Sequence, residues 1–216
     1  MNDNIILYTQ IISIVGTFIV SIASVLLTQY FYKKNQEKKE QKEKEQEEVK
    51  LKKYLYNKIK KYARSLPDIS PRDILNRLDA YNKYPYMSAE ETKKLILNKY
   101  NKAILNEEKN NSEICILKFL YEQLNDSMIK YDNASKIYEE IYINSSDDID
   151  KYVNENIVDL FLDINDLSYS AFELGTTGYY DRSYFDNTKG NEFLEIYSKL
   201  LGAINDELDE LDKLDK

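Results

Sequence analysis

The sequence has no histidine, no tryptophan, one cysteine, three prolines and five glycines among its 216 residues. Without an imidazole it cannot form a Ser-His-Asp triad, a His-Glu-x-x-His zinc site or a histidine pH switch. The glycines stand at positions 16, 175, 178, 190 and 202, so neither the Walker phosphate loop nor the dinucleotide-binding fingerprint is present. We therefore expect no catalytic residue, no metal site and no cofactor, and we predict that the chain is not an enzyme.

A long uncharged run lies near the start of the chain. No charged side chain occurs from Asn4 to Tyr32, and about 20 apolar helical residues suffice to cross a bilayer. Tyr30, Phe31 and Tyr32 stand at one end of the run, where aromatic rings favour the head-group level. The pattern predicts a short tail and a transmembrane helix within residues 1–32. The alternatives are a buried core helix and a cleavable signal peptide, which would need a basic start and a shorter apolar run.

The charge on either side of this run predicts its orientation. Residues 33–64 contain thirteen Lys or Arg and six Glu, a net charge of +7, whereas the other side has only Asp3. The positive-inside rule then places the N-terminus outside and the C-terminal domain in the cytoplasm of a single-pass protein of the cell membrane. The lone Cys115 agrees with a reducing compartment, since it has no partner for an intrachain disulfide. Its apolar neighbours Ile114 and Ile116 predict that it is buried.

Residues 33–53 form a run of Lys, Glu and Gln without Gly or Pro. These are strong helix formers, and pairs such as Glu40 with Lys44 and Glu48 with Lys52 have the i,i+4 spacing of helical ion pairs. The run predicts a solvated helical stalk. Binding to anionic lipid is the alternative for the lysines closest to the membrane.

The remaining residues, 54–216, have the helical spacing of apolar side chains and no alternating strand pattern bounded by hairpin turns. We predict helix starts at Ser70, which precedes a proline, and at Ser88, which begins a capping box with Glu91. Further helices are predicted from Ser112, from 145–148 through to 174, and over 193–211. The prediction is an all-α fold: an N-terminal transmembrane helix, a long charged helical stalk and a C-terminal helical bundle.

The segment 175–190 is the one loop rich in glycine and aromatic residues. Aromatic side chains beside Asp and Arg are typical of interface anchors, so this loop is a candidate partner surface. Closure of the bundle by the same tyrosines is the alternative. The candidate residues are Tyr179, Tyr180, Asp181, Arg182, Tyr184 and Phe185.

The domain after residue 64 is acidic, with seventeen basic and thirty-one acidic side chains. Such a field repels nucleic acid, so no nucleic-acid partner is predicted. Carboxylates lie close together at Asp147, Asp148 and Asp150, and again at Asp159, Asp163 and Asp166. They do not have the spacing of a calcium loop, and helix capping with a solvated face explains them more simply than a metal site.

Small and hydroxylated side chains recur on one face of the uncharged run. They allow close helix approach in lipid, so the run is a candidate for self-association into a homo-oligomer. The alternative is that each hydroxyl bonds the carbonyl four residues earlier in its own helix. The candidate residues are Ser13, Gly16, Thr17, Ser21, Ser24 and Thr28.

Three segments carry a family resemblance: the apolar spacing of 160–167, Phe172-Glu-Leu-Gly175 and Gly178-Tyr-Tyr-Asp181. In these segments the chain resembles a bacterial and phage family of uncharacterised proteins with one N-terminal membrane span and a helical cytoplasmic domain. The resemblance implies a membrane-anchored accessory of phage or mobile-element immunity, and it transfers no catalytic residue.

The function predicted from these features is a single-pass membrane-tethered protein-interaction module. Its expected partners are the lipid bilayer and a protein of unidentified type. The alternative is a membrane-disrupting effector that acts through oligomerisation of its anchor.

Overall fold

The computed structural model describes residues 2–80, 83–105, 111–176 and 192–214. Every regular element in these residues is an α-helix, which confirms the all-α prediction and the helical bundle. The chain divides into two compact units, Met1–Lys50 and Leu51–Lys216. The helices are α1 Asn2–Ser65, α2 Pro71–Arg77, α3 Ala89–Leu105, α4 Asn111–Tyr152, α5 Glu155–Phe172 and α6 Glu192–Leu214.

The first unit consists of α1 up to Lys50. This part of the sequence has no proline and only one glycine, Gly16, and its second half consists mainly of Lys, Glu and Gln. These residues have high intrinsic helix propensity, so a continuous helix follows from composition. The large apolar side chains described between Phe18 and Tyr32 are exposed, so they are not buried by packing against other described residues of the chain.

In the second unit, α2, α3 and α4 surround one hydrophobic cluster. Ile74, Ile96 and Leu124 are completely buried there, and burial of each such side chain contributes roughly 1.5–3 kcal/mol. Within this cluster α4 contributes Leu117, Leu120 and Leu124, which follow the three- and four-residue spacing predicted from sequence.

The C-terminal part of α1, within the second unit, packs through an aromatic cluster of Tyr62, Tyr138 and Phe161. The Tyr62 ring centroid lies 5.0 Å from that of Phe161 on α5 and 5.9 Å from that of Tyr138 on α4. Offset and edge-on contacts of this kind add roughly 0.5–1.5 kcal/mol per pair beyond area burial. The cluster joins α1, α4 and α5 in the second unit.

The helix α6 packs against α5 and buries Leu200 and Ile204 completely. Lys60 of α1 donates to the Asn205 side chain at 2.6 Å, and the Lys53 ammonium lies 2.7 Å from the Asp212 carboxylate. These exposed polar contacts add little to stability, so the apolar seam of α6 holds it in the bundle.

The predicted caps of α2 and α3 are both present. The Ser70 backbone N–H donates to the Asp73 carboxylate at 2.8 Å, and the Asp73 N–H donates to the Ser70 hydroxyl at 3.3 Å. Ser88 and Glu91 form the same reciprocal pair at 2.9 and 3.3 Å, and the bonds from Ser88 lower the pKa of Glu91. Each cap satisfies backbone N–H groups that the first helical turn leaves without partners.

The prediction of one helix from 145–148 to 174 is wrong. A helix boundary is present near the predicted place, because the backbone leaves helical geometry at Ser145, where φ is −142°, and α4 consists of two helical segments joined by a kink there. The second segment ends at Tyr152 and does not reach residue 174. The helix is interrupted again at Asn154, which adopts extended backbone and whose side chain accepts the Asn156 N–H at 3.0 Å. Asn154 is therefore the N-cap of α5, and the acidic residues 147–150 lie in the short helical segment that follows the kink at Ser145, before α5 begins.

The helix α5 ends at Phe172 with Glu173 as its C-cap, one residue earlier than predicted, and Gly175 follows with a φ of +63°. The Thr176 N–H donates to the Ser170 carbonyl at 3.0 Å, which is one residue further back than the acceptor in a Schellman motif. A Cβ built on Gly175 would lie 2.2 Å from the Met87 carbonyl oxygen. Gly175 thus allows two backbone segments to approach more closely than any side chain permits.

Candidate membrane-contact segment

The part of α1 between residues 16 and 32, called the apolar band below, carries nine large apolar side chains that are 46–67 % exposed. Successive helical residues are rotated by about 100°, so these positions surround the helix instead of forming one stripe. A soluble helix normally buries such a surface. The nine are Phe18, Val20, Ile22, Val25, Leu26, Leu27, Tyr30, Phe31 and Tyr32.

The hydroxyl groups in the apolar band are satisfied within the helix. Ser21 donates to the Thr17 carbonyl, Ser24 to the Val20 carbonyl and Thr28 to the Ser24 carbonyl, each at 2.8 Å. In hydrocarbon an unsatisfied hydroxyl costs several kcal/mol, roughly 2–7, and these bonds avoid that cost.

The same bonds bear on the predicted self-association face. For Ser21, Ser24 and Thr28 the alternative geometry, in which each hydroxyl bonds its own helix, is the one observed. A Cβ added to Gly16 would meet no atom within 4 Å among the described side chains. The side chain of Ser13 lies outside the described part of the chain. Self-association through this face stays a prediction.

The C-terminal end of the apolar band is a boundary of aromatic and basic side chains. Gln36 donates to the Tyr32 hydroxyl at 2.8 Å, and the Lys34 ammonium lies 5.9 Å from the centroid of the Tyr30 ring. Tyrosine at such a boundary has one apolar and one polar end, which suits the interface between hydrocarbon and water.

Beyond the boundary lies the Lys-, Glu- and Gln-rich run 33–53, called the charged segment below. It contains exposed helical ion pairs between Lys33 and Glu37 at 4.0 Å and between Lys39 and Glu43 at 3.8 Å. Gln41 also donates to Glu45 at 3.1 Å. The predicted pair of Glu40 with Lys44 is not among the ion pairs formed in the described residues. Pairs at this spacing contribute about 0.3–0.5 kcal/mol each, so together with helix propensity they account for a solvated helix.

Within the described residues, no helix is both long and apolar enough to cross a membrane. The uncharged run 4–32 includes residues 4–15 and 19, whose side chains lie outside the described part.

In the second unit the phenol groups serve as packing groups. Burial raises the pKa of Tyr62, whose hydroxyl donates to the Asn165 side chain at 3.1 Å. Burial likewise raises the pKa of Tyr138 and raises that of Tyr131 to about 12. The Tyr131 ring stacks on Phe172 with a centroid distance of 4.7 Å and an interplanar angle of 7°. Because an activated phenol would need its pKa lowered, these shifts favour a structural role.

These shifts predict alkaline destabilisation of the bundle. The unfolded chain loses phenolic protons near pH 10, whereas folded Tyr131 keeps its proton until about pH 12. The contribution of Tyr131 to the free energy of unfolding should therefore be constant below pH 10 and fall as the pH rises toward 12. Urea denaturation of the wild type and Tyr131→Phe over this range checks the prediction: the variant should show a shallower fall. Equal slopes would contradict it.

The candidate partner surface, Tyr179, Tyr180, Asp181, Arg182, Tyr184 and Phe185, lies outside the described residues. The structure does describe the point where the chain enters this segment. Arg72 of α2 donates to the Thr176 carbonyl at 3.0 Å, and Gly175 contacts the backbone of Met87. The start of the segment is therefore fixed against α2 and the start of α3, a junction that composition did not predict.

The acidic groups considered as cation sites lie on outer faces. Asp159, Asp163 and Asp166 are exposed on α5, and Asp147 and Asp150 are exposed on α4. Among the described residues, no three His, Cys, Asp or Glu side chains are placed to hold a metal ion.

Cys115 is exposed, so the prediction of buried packing is wrong. The core-facing residue is Leu117, and two residues rotate a helix by about 200°. Cys115 therefore points away from the core that Leu117 enters, although both belong to one apolar run.

No protein-family model matches the chain, and it matches neither a curated protein nor a solved structure. The family resemblance of residues 160–181 stays a prediction.

Proposed function

We propose that the chain is a single-pass membrane-tethered interaction module whose helical domain is held at the cytoplasmic face of the cell membrane. The observation that carries the proposal is the apolar band. Its large side chains are exposed around the whole helix, and it belongs to an uncharged run extending from residue 4 to residue 32. Lipid is the solvent that such a surface fits.

Two further features support lipid as that solvent. The hydroxyls of Ser21, Ser24 and Thr28 donate hydrogen bonds to carbonyls of their own helix. They therefore need no hydrogen bonds from water. The apolar band also ends at Tyr30 and Tyr32, beside the first lysines of the charged segment, which is the order of groups found where a span leaves the hydrocarbon.

The orientation follows from the net charge of +7 over residues 33–64, which favours retention of that side in the cytoplasm. The domain that follows is then a cytoplasmic domain.

An interaction role for the domain is favoured over catalysis because three of its five described buried polar side chains have structural uses. Ser70 and Asp73 cap α2, and Ser168 donates to the Ile164 carbonyl at 2.8 Å. Large apolar side chains are exposed on the domain, among them Phe119 at 54 % and Leu105 at 79 %. The partner is a protein, and the acidic charge of the domain disfavours nucleic acid. The narrower role, an accessory of phage or mobile-element immunity, rests on the family resemblance.

Topology reporters test the proposal. With a reporter fused after Lys216, a cytoplasm-active reporter such as a fluorescent protein should be active and a periplasm-active phosphatase inactive, because the basic flank holds this side inside. A fusion after Lys53 is the matched control and should give the same result, since a single span leaves both points on one side. Phosphatase activity at either point would overturn the orientation.

The membrane-disrupting alternative predicts a different phenotype in the same cells. A tether leaves the membrane potential unchanged on overexpression, whereas an anchor that assembles into a lesion collapses it. Collapse by the wild-type chain would replace the tether with the effector as the function.

A further inference from the structure

The first turns beyond the apolar band carry Lys34, Lys38 and Lys42 at successive four-residue spacings, called the lysine stripe below. Each four-residue step shifts a side chain by about 40° around the helix, so the lysine stripe spans about 80° of one face. All three side chains are exposed. The segment thus presents a narrow basic face directly beside the proposed membrane boundary.

The lysines of the stripe differ from the neighbouring lysines in the charged groups that they contact. Lys33 pairs with Glu37, and Lys39 pairs with Glu43. Among the described residues, no carboxylate lies within ion-pair distance of Lys34, Lys38 or Lys42, and Lys34 lies over the Tyr30 ring.

Three of the four nearby glutamates are segregated from this face. The fourth, Glu45, lies about 20° from the middle of the stripe, one turn beyond Lys42, and accepts a hydrogen bond from Gln41. Glu37, Glu40 and Glu43 lie about 100–160° around the helix from the middle of the stripe. Like charges four residues apart weaken a solvated helix slightly, so helix stability alone does not favour the arrangement. Binding of a ligand of opposite charge does favour this arrangement of lysines.

We propose that the lysine stripe binds the phosphate groups of anionic phospholipids in the leaflet where the span ends; this inference rests on the proposed membrane tether. Lys34 and Lys38 lie about 3 and 9 Å along the helix from Tyr32, which is within roughly one Debye length of the head groups. Lys42 lies about 15 Å away and reaches the head groups when the helix tilts toward its basic face.

The ammonium group suits this ligand. Lysine provides a compact positive charge with three donors, which binds phosphate oxygens without requiring one fixed geometry. Each basic residue close to an anionic surface adds about fivefold to the affinity. The stripe therefore selects anionic lipid from a mixed bilayer.

The test uses the full-length chain in phosphatidylcholine bilayers that contain a trace of dye-labelled phosphatidylglycerol or dye-labelled phosphatidylcholine. A donor dye is attached to a cysteine introduced by Asn35→Cys in a Cys115→Ser background. Energy transfer then measures which lipid is enriched around the stripe. The wild-type stripe should enrich phosphatidylglycerol, and Lys34→Gln/Lys38→Gln/Lys42→Gln should reduce that enrichment by about fivefold or more.

The matched control is Lys33→Gln/Lys39→Gln/Lys44→Gln, which removes the same charge from the same turns but leaves the stripe intact. It should change the enrichment by less than about twofold. Equal losses in both triple variants would show that net charge is responsible and would overturn the proposal. A chain that stays in the membrane under alkaline carbonate without enriching phosphatidylglycerol would overturn this inference alone. A wild-type chain that alkaline carbonate extracts would overturn both this inference and the tether.

Discussion

Replacement of Gly175 by alanine is expected to destabilise the helical domain by about 3 kcal/mol, since a left-handed backbone and a steric clash act together. The φ of Gly175 is +63°, and an added Cβ would lie 2.2 Å from the Met87 carbonyl oxygen and 2.5 Å from the carbonyl carbon. Both close atoms belong to the backbone, so a rotamer change cannot relieve the contact. Chemical denaturation of residues 51–216 with and without Gly175→Ala measures the effect.

Gly202→Ala is the matched control for this prediction. Gly202 lies inside α6, and a Cβ added there would meet nothing within 4 Å in the part of the chain that the structure describes. Alanine there should stabilise the domain by roughly 0.5–1 kcal/mol through helix propensity. If the two substitutions have the same sign, the contact between Gly175 and Met87 does not constrain the fold as described.

The second large effect is expected in the apolar band. Replacement of both Ile22 and Leu26 by arginine should release the chain from the membrane, because each arginine at the centre of a span costs about 2.5–3.5 kcal/mol of insertion free energy. Both side chains are exposed, so the substitutions remove no core packing among the described residues. Membrane fractionation of the expressed full-length variant measures the release.

Gln36→Arg/Glu40→Arg is the control, with the same four-residue spacing in the exposed charged segment. This pair should leave membrane retention unchanged. If both double variants are retained as well as the wild type, the apolar band is not the membrane-binding element.

Helix starts were predicted where a side chain caps the backbone within three residues. Each of these caps forms between two residues three apart, Ser70 with Asp73 and Ser88 with Glu91. The caps depend only on neighbouring residues and can therefore be recognised in the sequence. Asn154 is an equally good cap, but the run of Ser and Asp residues at 145–148 lies nearby and has the same signature. The structure has a helix boundary at both places, whereas the continuous apolar spacing from Ile149 to Leu174 predicted only the first.

Burial was predicted well where periodicity was strong and poorly where an apolar run crossed two faces. Leu117, Leu120 and Leu124 occupy one face of α4 and are buried. Cys115 and Ile116 belong to the same run, yet their backbone positions turn them outward. Composition records that a residue is apolar, whereas the helix phase decides what it contacts.

The contact of Gly175 with Met87 was beyond sequence analysis for another reason. Gly175 was predicted as a helix end from local pattern, but Met87 is distant in sequence and no pattern connects the two. The lysine stripe, by contrast, follows from spacing and helical geometry. The structure added that Lys33 and Lys39 have carboxylate partners, whereas the stripe lysines have none among the residues that the structure describes.

The distribution of the full-length wild-type chain after alkaline carbonate extraction of cell membranes tests the tether most directly. Carbonate removes peripheral proteins and leaves helices that span the bilayer. The apolar band predicts that the full-length chain stays in the membrane pellet while residues 51–216, expressed alone, stay in the supernatant. A full-length chain found in the supernatant would contradict the central claim.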